Sequence, residues 1–185
     1  NPIDVLRSTL NDSAGSLDAS LAATTQSYDA LSAQVDELLD NASTTSAQTA
    51  QTYRTAAERV DEQTQAFEGV RTSIKDQADK VALPAPVAGG YKAMMGQIDA
   101  SIAQSNALHD SLVSTAADLE QGRGTSQGSR QRTKDAIANA KHAAEKARTS
   151  YNENLKPQLD QLNQSVSVVA GDIDAVKQDI AGIRD

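Results

Sequence analysis

Apolar residues return every three or four positions along most of this chain, and the residues between them are polar. Ala14, Leu17, Leu21, Thr24, Tyr28, Leu31, Val35, Leu38 and Ala42 are spaced 3, 4, 3, 4 throughout, an a/d series over four heptads. Strand alternation does not fit that period; a helix with one apolar seam does. Upstream, Asn1-Pro2-Ile3-Asp4 reads as a helix start, with Asn1 as cap, Pro2 at the first helical position and Asp4 near the positive end of the dipole. The series fades across 41–52, which is rich in Ser, Thr, Gln and Ala but free of Gly and Pro. It resumes one residue out of phase with Ala50, Tyr53, Ala57, Val60, Thr64 and Phe67, and Val70, Ile74, Ala78 and Val81 extend it.

The clearest break is 83–90, Leu83-Pro84-Ala85-Pro86-Val87-Ala88-Gly89-Gly90. Two prolines remove donors and fix φ, and two glycines permit a reversal. A second arm then runs through Tyr91, Met94, Ile98, Ile102, Ser105, Leu108, Leu112, Ala116 and Leu119. A Gly/Ser stretch at 121–130 interrupts it. Ile137, Ala140, Ala144, Ala147 and Tyr151 restart the pattern, and Leu159, Leu162, Val166, Val169, Ile173, Val176, Ile180 and Ile183 continue it. Between Tyr151 and Leu159 the phase slips by one residue, with Pro157 inside the slip. Pro157 cannot bond to the carbonyl of Glu153, which predicts a kink or a wide turn there.

These elements predict an all-α fold in a single domain over 1–185: an elongated antiparallel coiled-coil hairpin. Arm one covers 3–82, the tip 83–90 and arm two 91–183. Folding the chain at the tip brings the polar stretch 41–52 level with 121–130, a joint in the middle of the rod. An arm of 80 residues would reach roughly 120 Å. The alternative is an up-down-up-down four-helix bundle, which follows if 41–52 is a loop. The absence of a strong breaker in that stretch favours the hairpin.

Composition narrows the function more than the fold. Aromatic residues are 3% of the chain and large hydrophobes are sparse, enough for a seam between helices. The net charge of −8 repels phosphate backbones, and the basic residues gather only loosely between Arg123 and Lys146, so nucleic-acid binding is disfavoured. With no cysteine there is no disulfide, thiolate metal site or Cys nucleophile. His109 and His142 lie far apart in sequence, and neither has the i, i+4 partner of a helical zinc site. Carboxylates such as Asp36-Glu37 and Asp172/Asp174 are spread along polar faces, without the enclosure that acid/base catalysis needs. The glycines of 122–128 lack the strand and lysine of a phosphate cradle and read as a linker. Asn11, Asn41 and Asn163 open glycosylation sequons that chance alone supplies in an Asn/Ser-rich chain. The reading is therefore non-enzymatic, with no cofactor and no metal.

Two features point to contacts. Leu83, Pro84, Pro86, Val87, Tyr91, Met94 and Met95 concentrate adaptable apolar side chains at the tip, which reads either as an interaction patch or as a plug. Ala140, Ala144 and Ala147 form thin layers that bury little area, which points to support from a third helix or from a second copy in a homodimer.

The run Tyr151-Asn152-Glu153-Asn154-Leu155-Lys156-Pro157, an Ala-rich helix entering Tyr-x-x-x-Leu-Lys-Pro and then a heptad helix, resembles the extracellular region of the phage infection protein (YhgE/Pip) family. Tyr151, Leu155, Lys156 and Pro157 carry the resemblance, which implies a structural kink at those residues. It further implies a helical arm outside a bacterial cell, held between membrane segments that lie beyond this sequence. Roles as a phage receptor or as an accessory to type VII secretion come with it. The chain opens on Asn and shows no signal peptide or membrane span, so it reads as an excised or processed segment. The competing reading is a cytoplasmic scaffold or chemoreceptor-like signalling hairpin, whose regular seam Pro157 and 121–130 would interrupt. The protein partner has no recognisable code in a polar helical surface.

Overall fold

Asn41 decides the topology. Its side-chain carbonyl accepts bonds from the backbone N–H and the hydroxyl of Ser43, at 3.1 and 2.7 Å, which folds the chain into a tight turn. Four residues on, Thr45 and Gln48 form a reciprocal capping box that starts a new helix. The computed structural model describes the backbone of residues 2–41, 43–80 and 82–184, and all side chains there except at 2–7, 9, 10, 163, 165–170 and 184. Within it α1 spans Pro2–Asp40, α2 Ser46–Asp79, α3 Ala85–Glu120, α4 Ser126–Ser150 and α5 Lys156–Arg184, with a π turn at Tyr151–Leu155 joining the last two. Among the described residues the chain is all-helical.

The stretch expected as arm one, 3–82, carries two helices. The helix stops at Asp40 and restarts at Ser46, and α1 and α2 lie side by side, with Gln63 Nε2 donating to Ser27 Oγ at 2.6 Å. The reason is local: an Asx turn and a capping box occupy the orphan backbone groups that a continuous helix would otherwise satisfy. The tip shifts as well. Pro84 caps α3, and Ala85 to Gly90 are its first turns, so the reversal is confined to 80–84. The Gly/Ser interruption narrows to 121–125, where Gly122 and Gly124 hold φ of 70° and 95°, open only to glycine at low cost.

Among the first four helices each packs on two others, α1 on α2 and α4, and α3 on α2 and α4, and the start of α5 packs on α1 and α3. Pair registers run in opposite senses. Asp18 meets Arg148, Asp29 meets Lys141 and Asp36 meets Lys134 between α1 and α4. Arg54 meets Glu120 and Arg71 meets Asp99 between α2 and α3. The core is a seam shared by all four. Leu17, Leu21, Ile98 and Met94 pack with Ala144 and Ala147 in one half, and Tyr28, Val35, Tyr53, Leu108 and Leu112 with Ala140 in the other. The thin alanine layers thus pack in the same clusters as large side chains from other helices. Along α1 the seam passes from Val35 to Leu39, leaving Leu38 half-buried, while Ala42 and Val81 lie outside the described residues.

At Tyr151 the helix widens. The Lys156 N–H reaches back five residues to the Tyr151 carbonyl. One extra residue in the turn absorbs the one-residue slip of the heptad, so Tyr151, Leu155 and Leu159 all stay buried.

Candidate functional site

The apolar tip and the π turn come together. Leu83, Val87, Tyr91 and Met94 line one gap with Leu155 and Leu159, closed on its other side by Ala14 and Ile74. Its volume is about 10 Å³, barely one water, and its walls are almost wholly apolar. Starting α3 at Ala85 places Val87 and Met94, seven residues apart, on the inward face. Val87, Met94 and Met95 are therefore buried, Leu83 and Tyr91 half-buried, and only Pro84 and Pro86 exposed. Of the patch and plug readings of these seven residues, the burial sides with a plug for five of them: Leu83, Val87, Tyr91, Met94 and Met95 turn into the end of the core. Burial pushes the Tyr91 phenol above its ordinary pKa, and the charge of Asp79 adds to that. Of the four residues at the wide turn, Tyr151 and Leu155 are buried, while Lys156 and Pro157 face solvent.

Charge forms a ladder between α4 and α1. Arg148, Lys141, Lys134 and Arg130 on α4 reach Asp18, Asp29, Asp36 and Asp40 on α1, at 2.6 to 3.1 Å. Hydrogen bonds from Lys134 and then Arg130 hold the Asp36 carboxyl below its usual range. The bond from Arg54 does the same for Glu120. Within the basic stretch, Arg130, Lys134 and Lys141 are thus paired with α1, and Arg123 with Asp118 on α3.

The interior carries a short polar chain. Tyr28 donates to Ser105 at 2.8 Å, the hydroxyls of Ser105 and Thr64 lie 2.6 Å apart, and Thr64 donates to the Val60 carbonyl at 2.7 Å. Tyr53 and Ser129 meet at 3.3 Å in the other half. At that far end Gln127 donates to the Leu39 carbonyl and Ser126 to Thr49, tying the 121–125 turn to the end of α1 and the start of α2. His109 Nδ1 lies 3.0 Å from the neighbouring Asp110 carboxylate, and His142 sits exposed beside Glu145 and Lys146. Among the described residues no three His, Cys, Asp or Glu side chains gather as metal ligands.

The remaining feature is α5. From Gly171 to Ile183 every residue is exposed, and Ile173, Val176, Ile180 and Ile183 are 48 to 84% accessible. These are a/d positions of the series, the same spacing that is buried elsewhere in the chain. Periodicity marked them as seam; nothing in periodicity says whether a seam has a partner. No helix among the described residues is long and apolar enough to cross a membrane. Comparison of the chain with protein-family models, with curated proteins and with solved structures finds no match.

Proposed function

We propose that the chain is a non-enzymatic interaction arm: an up-down-up-down four-helix bundle with α5 projecting from one end, carried on the outer face of a bacterial membrane protein. The shared exit of α1 and α5 carries the reading. Ala14 of α1 lies beside Leu155 and Leu159, and Asp18 receives bonds from Arg148 and Asn152. The first turns of α1 and the length of α5 therefore leave the bundle at the same end, past the 80–84 turn. An insertion between two membrane anchors needs that geometry. The interior supports a structural role, since it is filled by apolar and small side chains.

A role as phage receptor or type VII secretion accessory rests on the resemblance of the Tyr151 to Pro157 run and belongs to this proposal. The test is topological. A single cysteine at exposed Ser43, placed in the full-length protein in its native bacterium, should react with a membrane-impermeant maleimide on intact cells. Labelling only after lysis would contradict the extracellular placement and favour a cytoplasmic scaffold.

A further inference from the structure

The exposed stripe on α5 carries its own charge code. With Ile173 and Ile180 at a and Val176 and Ile183 at d, Asp172 and Asp179 hold the flanking g positions. Lys177 and, in sequence register, Arg184 hold the e positions. In a parallel pair of helices each g residue faces the e residue five places on in its partner. Asp172 would then meet Lys177 and Asp179 would meet Arg184, opposite charges at both steps. In an antiparallel pair g faces g and e faces e, which sets Asp against Asp and Lys against Arg. Among the described residues nothing in the first four helices covers the stripe, since every residue from 171 to 183 is exposed.

We infer that this face of α5 is a self-association surface, and that its occupant is α5 of a second copy, docked in parallel and in register. Burying Ile173, Val176, Ile180 and Ile183 against their counterparts supplies the attraction, and the Asp–Lys and Asp–Arg pairs supply the direction. The stripe spans 13 exposed residues, about 20 Å of helix, so the association is weak and depends on concentration. β-Branched side chains at d as well as a also leave room for a third strand in the same parallel sense. The inference does not depend on where in the cell the protein resides.

The chain has no cysteine, so single-cysteine reporters are clean. Sedimentation equilibrium from about 10 μM to about 1 mM should show the mass of the 185-residue chain rising above that of a monomer. Under mild oxidation Val176→Cys and Ile183→Cys should each cross-link to themselves, because in-register parallel strands bring every a or d residue onto its own copy. An antiparallel pair can do this at one of the two positions at most. Lys177→Glu should weaken association roughly tenfold, and Asp172→Lys in that background should restore it. Circular dichroism on each variant checks that the bundle is intact. A chain that stays monomeric to about 1 mM, or one that associates while only one reporter cross-links, would overturn the inference.

Discussion

Tyr28 on α1 donates its phenol hydrogen to Ser105 on α3, 2.8 Å away across the core, and Ser105 in turn meets Thr64 on α2. Three helices are tied by one relay that ends on the Val60 carbonyl. Seam packing alone tolerates sliding, whereas a buried hydroxyl has a partner in only one register. Ser105→Ala strands the Tyr28 hydroxyl without a partner and should cost about 1–3 kcal/mol in urea unfolding. Tyr28→Phe removes the stranded group and should cost only about 1 kcal/mol. The double variant should cost less than the sum of the two, and strict additivity would show that the relay is not coupled.

Burial holds the Tyr28 phenol above its ordinary pKa, with the bond to Ser105 opposing in part. The neutral phenol is the form the fold keeps. The stability it contributes is therefore complete below the pKa of an unfolded tyrosine and is lost as pH rises through the folded value. Urea midpoints measured upward from pH 9 should fall more steeply for the parent than for Tyr28→Phe. Identical slopes would contradict the assignment.

Gly89 and Gly90 are neighbours in α3 with different surroundings. A Cβ on Gly89 meets nothing within 4 Å, while one on Gly90 would collide with the side-chain oxygen of Gln158. Gly89→Ala should stabilise by about 0.5–1 kcal/mol from helix propensity and a stiffer unfolded chain. Gly90→Ala should gain less, because the Gln158 amide must leave its place. That shortfall should vanish in a Gln158→Ala background. Equal gains at both positions in the parent would mean that α5 does not pack on α3 there.

The ladder between α1 and α4 answers to salt and acid. Asp36→Asn should lower the thermal midpoint at low ionic strength, with the difference shrinking at about 1 M salt, where the screening length is about 3 Å. Because Lys134 and Arg130 hold the Asp36 carboxyl below its usual value, its contribution is complete above the ordinary carboxylate range. It is lost as pH falls through the folded value. Parent and variant should therefore converge in strong acid. A gap that persists at high salt and low pH would assign the effect to packing.

Much of the fold was legible because heptads are. Leu17, Leu21, Tyr28, Leu31 and Val35 are all buried at the spacing read from sequence. The restart at Ser46 has its signal too, in Thr45-x-x-Gln48: a stretch without Gly or Pro hides a capping box that begins a new helix. Prolines at 84 and 86 read as a helix break from sequence, yet they open α3, where a missing N–H costs nothing. Gly89 and Gly90 need no positive φ, and Gly122 and Gly124 do, a distinction composition cannot make. At the tip the sequence leaves patch and plug open for the same reason: which apolar residues near a turn face inward depends on where the next helix starts. On α5 the sequence carried the stripe and its charges, but only the neighbours show that the stripe is left uncovered.

The central claim, that α1 and α2 fold back on each other, is tested most directly by one distance. Ser27 and Gln63 touch across α1 and α2 and are separated by 36 residues in sequence. With spin labels on Ser27→Cys and Gln63→Cys, a double electron–electron resonance measurement should give a single population below about 25 Å, as for adjacent helices. One continuous helical arm would put the two labels about 54 Å apart at 1.5 Å per residue. A distribution centred there would contradict the bundle and restore the extended hairpin.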